Sequence, residues 1–399
     1  MAFEKIKIRS YDSQIDKIGV EDLQRRCEVG PLDHVFLFTD TMGDPISRIR
    51  NSPIYNMLVA ELNNEIIGVI QGSIKVVTLH ISSKNHLAKV GYILGLRVAP
   101  VHRRKGIALS LARNMEEWFI SHQVDYAYMA TEKDNVASIK LFVNKLGYVK
   151  FRTPTILVHP VNNRPFHLSS SVEIMKLNIE QAEFVYRKFM SSTEFFPHDI
   201  NRILKNELSS GTWVAYFRGH DDESSNGVFG LNGRFPNSWA MMSVWKSTEV
   251  LKLRVGKPTF SCTLYAKSSR MMERVLPCLR VQTLPDFFEN PFGFYFIYGV
   301  YREGPSSGQL VRTLCKFVHN LATDEKDDCK VIVTEIGGYD ELKLHIPHWK
   351  LLSCPEDLWC IKPLKLYEDK RTKTSLINDL TKNPTPKTTR ALFVDPREV

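Results

Sequence analysis

Apolar and polar residues alternate along this chain with two distinct periods, and the points where the period changes outline its elements. Residues 3–9 alternate apolar and charged positions, as an opening strand does, and "VEDLQRRCEV" (Val20–Val29) follows with helical spacing. "PIYNMLVAEL", "EIIGVIQGSIKVVTLH" and "VGYILGLRV" read as three strands. Asn63-Asn64 makes a hairpin turn between the first two, and the polar "ISSKNHLAK" separates the second from the third. The period then becomes helical: Ile107, Leu111, Met115 and Trp118 share one face. A strand "VDYAYMA" comes next, then a helix from Asn135 to Leu146 carrying Ile139, Phe142, Val143 and Leu146 and stopped by Gly147, and a last strand near "YVKFRTPTILV". The order β-α-β-β-β-α-β-α-β predicts a mixed α/β unit over residues 1–160.

Pro, Asn and Ser crowd His159–Ser171, which predicts a linker over 161–171. From 172 to 363 the order resembles that of the first half. "VEIMKL" opens as a strand, "NIEQAEFVYRKFM" and "DINRILKNELS" are helical, and "GTWVAYF", "SWAMMSVWKS" and "FGFYFIYGVY" are strands. A Gly-containing turn then leads into the helix "GQLVRTLCKFVHNLA", followed by the strand "CKVIVTEI", with "WKLLS" and "DLWCIK" closing the sheet. "HDDESSNG" (His220–Gly227) reads as an exposed loop, and residues 364–399 as a polar tail whose final "ALFVDPREV" is apolar enough to dock.

Composition narrows the class. A chain of 399 residues suits two domains, and 43% hydrophobic with 24% charged residues is globular rather than disordered. The charged "MAFEKIKIRS" lacks the apolar run of a signal peptide, and no stretch approaches the ~20 apolar residues of a membrane span, so a soluble protein of the nucleus or cytoplasm is expected. The seven scattered cysteines contain no C-x-x-C pair, which excludes a disulfide framework and a zinc site. His345 and His348 are interrupted by Pro347 and read as ordinary polar positions; no metal is expected. The formal charge of +9 fits a phosphorylated cofactor, nucleic acid or an acidic protein surface, and by itself does not separate them.

The chemistry concentrates in "RVAPVHRRKGIALSLARNMEEWF" (Arg97–Phe119). A strand ends at Pro100, three basic residues follow, and Gly106 opens the helix, whose first N–H groups have no intrahelical partner. Those donors, the positive end of the helix dipole and Arg103, Arg104 and Lys105 together make an anion site suited to a phosphate or pyrophosphate. A P-loop is excluded, because the order Lys105-Gly106-Ile107 leaves no hydroxyl for magnesium. A second helix start, at Asn135, follows the next strand, and two such starts could cradle one elongated ligand.

Val98-x-Pro100-x-x-Arg103-Arg104-x-Gly106-x-Ala108 resembles the acetyl-CoA motif of the GNAT N-acetyltransferases, R/Q-x-x-G-x-G/A, and Asn135-x-x-Ser138-x-x-Leu141-Phe142 with Gly147-Tyr148 resembles their second motif. Over nearly its whole length the chain is similar to the plant Hookless N-acetyltransferase-like family, through "RRCEVGP", "LFTD", "GDPISRIR", "LGLRV", "HRRKGI", "MEEWF", "FRTP", "TEFFP", "IPHWKLLSC", "EDLWCIK" and "FVDPRE". The resemblance implies a GNAT fold, acetyl-CoA as cosubstrate and a role in differential growth and hormone response. It also implies that Leu96, Arg97 and Val98 hold the pantetheine arm between two splayed strands. Arg103, Arg104, Lys105, Gly106, Ile107 and Ala108 would hold the pyrophosphate, with Asn135 and Ser138 beside the arm. The second half would then be a degenerate copy: its turn Arg302–Gly308 keeps two glycines, lacks the basic run and carries Glu303.

The reaction implied is attack of an amine, of a protein such as a histone or of a small molecule, on the thioester. An ammonium near pKa 10.4 must first lose a proton, about 4–5 kcal/mol uphill at pH 7. The strand "AKVGYILGLRV" carries no carboxylate. Glu132 is the nearest candidate base, and Glu21 and Glu28 are weaker ones. Many relatives place a Tyr where Phe142 stands to protonate the leaving thiolate; Phe142 has no proton to give, which leaves Tyr148 or water. Two other readings stand beside this one: an acetyl-CoA-binding regulator acting through protein contacts, and nucleic-acid binding, for which no motif is present. Nothing in the sequence excludes a homo-oligomer.

Overall fold

The computed structural model describes residues 6–27, 37–81, 84–162, 164–218, 235–256, 290–324, 329–350, 352–354, 356–365 and 391–399. Glu28, the 220–227 loop and most of the 364–399 tail lie outside them. The first half contains β1 (Lys7–Ser10), α1 (Lys17–Arg26), β2 (Leu37–Asp40), β3 (Ile54–Leu62), β4 (Glu65–Ile81) and β5 (Lys84–Val98). After these come α2 (Ile107–Ser121), β6 (Tyr126–Glu132), α3 (Val136–Ile139), β7 (Val149–Arg152) and β8 (Thr155–Pro160). The second half contains β9 (Val172–Leu177), α4 (Ile179–Met190), α5 (Ile200–Lys205), β10 (Ser209–Phe217), β11 (Trp239–Lys246) and β12 (Lys252–Val255). It continues with β13 (Gly293–Glu303), α6 (Ser307–Asp324), β14 (Cys329–Ile336) and β15 (Asp357–Pro363). Asn63 and Asn64, both at positive φ, turn β3 into β4, as a tight hairpin with right-handed twist demands.

Two mixed sheets result, ordered β1-β3-β4-β5-β6-β15-β7 and β9-β10-β11-β13-β14-β8. Over six strands they match: three antiparallel junctions, then one parallel junction (β5 with β6, β13 with β14), then an antiparallel strand, beyond which the first sheet adds β7. α2 packs Ile107, Leu111, Met115 and Phe119 onto one face of the first sheet, and α6 packs Leu310, Leu314 and Val318 onto the second. The repeat is therefore a tandem one, as expected.

The expected division at residues 161–171 and the expected closing strands require correction. "YVKFRTPTILV" is two strands in two sheets: Pro154, without an N–H, ends β7, and β8 crosses to pair with β14. "DLWCIK" lies in the first sheet, between β6 and β7, and in "WKLLS" the Trp349 N–H donates to Val158 O (2.8 Å) outside any strand. Each half thus completes the other's sheet. A further pair unassigned from the sequence, β2 with β12, also joins the halves. One continuous apolar cluster fills the space between the sheets, combining Tyr92 and Tyr128 with Tyr186, Phe294, Trp359 and Phe393. The C-terminal residues 392–398 are buried there, with Lys75 Nζ 3.3 Å from Asp395 and 2.8 Å from Glu398.

The start of the linker is held by a histidine pair. His159 Nε2 and His319 Nδ1 are 3.1 Å apart under the Phe166 ring, and Asn320 clamps the Phe166 backbone. Burial, then the neighbouring His319 and His348, pushes His159 down to about 4; burial also lowers His319. Their unfolded values lie near 6.5, so the unfolded chain binds more protons below that pH and stability present above it is lost as pH falls toward 4. Thermal melts should show Tm falling between pH 6.5 and 4.5, and His319→Gln should flatten that slope. An equal slope in the variant would acquit the pair.

Candidate functional site

Where β5 and β6 run parallel, their pairing extends from Val90↔Tyr126 to Ile93↔Met129 and stops there. β5 continues to Val98 bonded only to β4, and β6 to Glu132 bonded to β15. The parting has a local cause. The β4–β5 register shifts between Val69 and Gln71, and Gly95 sits at φ 64°, a bulge conformation that side-chained residues resist. Leu94–Val98 and Ala130–Glu132 therefore flank a cleft edged by backbone, which suits an extended, amide-bearing ligand lying as an added strand. Not every group predicted to hold that ligand is equally available. Val98 O already accepts from Cys27 Sγ and Arg103 Nε (both 3.3 Å), and Leu96 O accepts from the Arg97 guanidinium (3.1 Å).

The cleft leads to the start of α2. Gly106 is its N-cap at φ 84°, preceded by Arg104 at φ 63°, and a Cβ on Gly106 would meet no atom within 4 Å. Arg103, Arg104, Lys105 and Gly106 are all exposed, Ala108 is half-exposed, and Ile107 turns into the core. Open backbone, an uncapped helix start and three cations converge there, an arrangement able to bind a pyrophosphate. Asn135 caps α3 by accepting from Ser138 N (3.1 Å), so those two predicted residues are joined to each other. The expected single helix is one α-turn followed by a π-turn, Lys140–Lys145, closed by Gly147.

The two aromatic positions fall inside. Phe142 and Tyr148 are 2% and 1% exposed and meet edge to face at 5.2 Å. Burial, then the Glu116 carboxylate, pushes the Tyr148 phenol well up, and Lys362 sits over its ring. This corrects the expectation for Tyr148: its hydroxyl lies in the core under α2, where a leaving thiolate has no access to it. Glu21 pairs with Arg25 within α1.

Glu132, in contrast, stands at the mouth of the cleft, directly across from Asp357 of β15. Asp357 and a third carboxylate, Glu335 at the end of β14, escaped the sequence reading. Burial raises Asp357 well above the ordinary carboxylate range, and the charge of Glu132 adds to it. Burial and then the charge of Asp357 raise Glu335 similarly. Asp357 lies in the segment "EDLWCIK", but nothing in that segment or around Glu335 assigned either residue a role; each is an acidic residue at one end of an apolar strand.

In the second half the corresponding cleft is filled. β13 and β14 part after Ile297↔Thr334, and the register of β13 shifts next to Gly299, but the Tyr186 hydroxyl occupies that position, bonded to Ser243 Oγ (2.6 Å). At the start of α6, a Cβ on Gly304 would collide with the Asn237 carbonyl, and one on Gly308 with the His345 ring. Among the described residues, no group of three His, Cys, Asp or Glu could hold a metal, and no helix is long and apolar enough to cross a membrane.

Residues 20–148 match the acetyltransferase (GNAT) family. The chain is 45% identical to the probable N-acetyltransferase HLS1 of Arabidopsis thaliana, covering 98% of this chain and 99% of that protein. It is 32% identical to the acetyl transferase GW6a of Oryza sativa subsp. japonica, covering 98% and 97%. Its fold is similar to that of Saccharomyces cerevisiae N-myristoyltransferase, solved with bound myristoyl-CoA, at a TM-score of 0.53 and 10% identity, covering 91% of this chain and 80% of that one.

Proposed function

The chain belongs to the acetyltransferase (GNAT) family, together with the plant N-acetyltransferases it matches end to end, and from that premise we propose that its first half binds acetyl-CoA and passes the acetyl group to an amine. The observation that carries this reading is the contrast between the two helix-start turns: a Cβ on Gly106 would meet no atom within 4 Å, whereas one on Gly304 or Gly308 would collide with the Asn237 carbonyl or the His345 ring. Leu96–Val98 line the pantetheine arm, Arg103–Ala108 take the pyrophosphate, and Asn135 and Ser138 fix the wall opposite. The amine nitrogen attacks the thioester carbonyl, the C–S bond breaks, and coenzyme A leaves as a thiolate. With thiols near pKa 8–9, that group departs without an enzymic acid, which accommodates Phe142. The resemblance to the Hookless family extends the proposal to a nuclear or cytoplasmic role in differential growth.

Calorimetry should find one coenzyme A per chain, and acetyl-CoA should acetylate amines. Two molecules per chain would reopen the second copy. Binding without transfer would favour the reading as a coenzyme-responsive regulator.

A further inference from the structure

We infer that Glu335, contributed by the second sheet, acts with Asp357 to take the proton that the acceptor amine gives up at the cleft of the first. The inference rests on the acyl-transfer reading above and deepens it: the second half becomes part of the catalytic centre, although its own cleft is closed.

Placement comes from strand geometry. Asp357 is 7% exposed and lies across from Glu132, the last residue of β6 beyond the parting from β5. Side chains two apart on a strand share a face, so Trp359 projects on the same side as Asp357. Trp359 Nε1 donates to Glu335 Oε1 at 3.2 Å, which holds Glu335 over that face from the opposing sheet. The ring of Trp359 lies 5.5 Å from Tyr128, which stacks at 4.8 Å on Tyr92, the pair just before the strands part. An aromatic wall thus runs from the base of the cleft to Glu335, on the side away from α2.

A separate observation points to a donor in this space. Gln71, on the same face and 3% exposed, keeps its Oε1 without a partner among the described residues, about where a side chain on Gly95 would stand (3.3 Å). A buried, unmatched acceptor at the lip of the cleft suits an ammonium or amine N–H.

The groups facing Glu335 set its proton affinity. Asp357, with Glu132 behind it, and Glu398 of the C-terminal segment are negative neighbours that raise it, while the Trp359 N–H lowers it. Tyr92 and Cys354 also lie within electrostatic reach, Arg48 faces Tyr92, and Lys75 faces Glu398. Carboxylates crowded in this way share a proton with high affinity and can hold one near neutral pH, as a base for an ammonium must. Each turnover moves one proton from R–NH3+ to the carboxyl pair. The amine then attacks, the C–S bond breaks, the second nitrogen proton ends on the coenzyme A thiolate, and the pair returns its proton to water.

The test uses the full chain with acetyl-CoA and poly-L-lysine. Glu335→Gln should lower kcat at pH 7 by about a hundredfold, remove the rising limb of the pH profile, and leave coenzyme A affinity unchanged. Asp357→Asn should move that limb to lower pH, because it removes a charge that raises Glu335. Glu335→Asp should restore part of the rate. Because Glu335→Gln removes a buried charge, its Tm at pH 8 should equal or exceed that of the wild type, which separates a chemical role from a structural one. A Glu335→Gln protein with wild-type rate and limb overturns the inference and leaves the acetyltransferase reading standing. Wild-type protein that binds coenzyme A yet acetylates neither poly-L-lysine nor spermine overturns both. Wild-type protein that fails to bind coenzyme A removes the site itself.

Discussion

Gly106→Asp should weaken coenzyme A binding by ten- to a thousandfold in a protein that remains folded. Asp is among the side-chained residues that best tolerate the left-handed backbone found here, and a carboxylate at a helix N-cap is favourable in itself. No atom lies within 4 Å of the new Cβ, so nothing in the unliganded protein is displaced. The cost appears only when a pyrophosphate arrives. Two like charges ~4 Å apart repel by about 4 kcal/mol at the effective dielectric of a protein surface, and tenfold in affinity needs about 1.4 kcal/mol. Gly106→Asn keeps the size and the backbone preference without the charge, so it should lose less than Asp. Calorimetry with coenzyme A on both variants decides the matter, and unchanged affinity in folded Gly106→Asp would remove the pyrophosphate from this turn.

The largest stability effect is expected at Arg397. Its guanidinium is 2% exposed and donates to Asp395 (2.7 and 2.9 Å) and to Asp199 (2.7 and 3.0 Å). Burial alone would raise Asp395, but the charges and hydrogen bonds of Arg397 with Lys75 hold it below the ordinary carboxylate range. Arg397→Met leaves Asp395, itself fully buried, with Lys75 at 3.3 Å as its remaining cation. Removing one partner of a buried pair costs about 3–5 kcal/mol, because the other charge stays desolvated. The double variant Arg397→Met with Asp395→Asn should recover much of that loss. Asp395 is depressed in the folded protein, so its contribution is full above pH ~4 and is lost as pH falls below that. Denaturant unfolding at pH 7 checks the magnitude; a loss under about 1 kcal/mol would mean that the C-terminal segment is held by its apolar residues alone.

What could be read from the linear chain was whatever depends on neighbours in sequence. The strand–turn–helix at Leu96–Ala108, the cap at Asn135 and the stop at Gly147 follow from period, backbone preference and unsatisfied helix N–H groups, all properties of a few consecutive residues. They sufficed to single out the Gly106 turn as the candidate coenzyme site and to recognise the second half as a repeat. The missing basic run and Glu303 already marked that repeat as degenerate, but what closes it could not be read, because Gly304 and Gly308 look permissive until Asn237 and His345 are folded onto them. The exchange of β8 and β15 was equally hidden. β6 and β14 each present the same kind of strand edge, and only the packing of the halves decides which closing strand meets which. Tyr148 looked available because its place just after the Gly147 stop fixes its neighbours in sequence but not what covers it; Glu116 and Lys362, the latter from β15, cover it. The meeting of Glu132 with Asp357 and Glu335, each more than two hundred positions away from it, runs through one strand pairing and one indole hydrogen bond. Local propensity carries no term for such a contact, so the sequence alone determined the Gly106 turn and its basic run, and the tertiary structure decided which carboxylates gather beside the cleft.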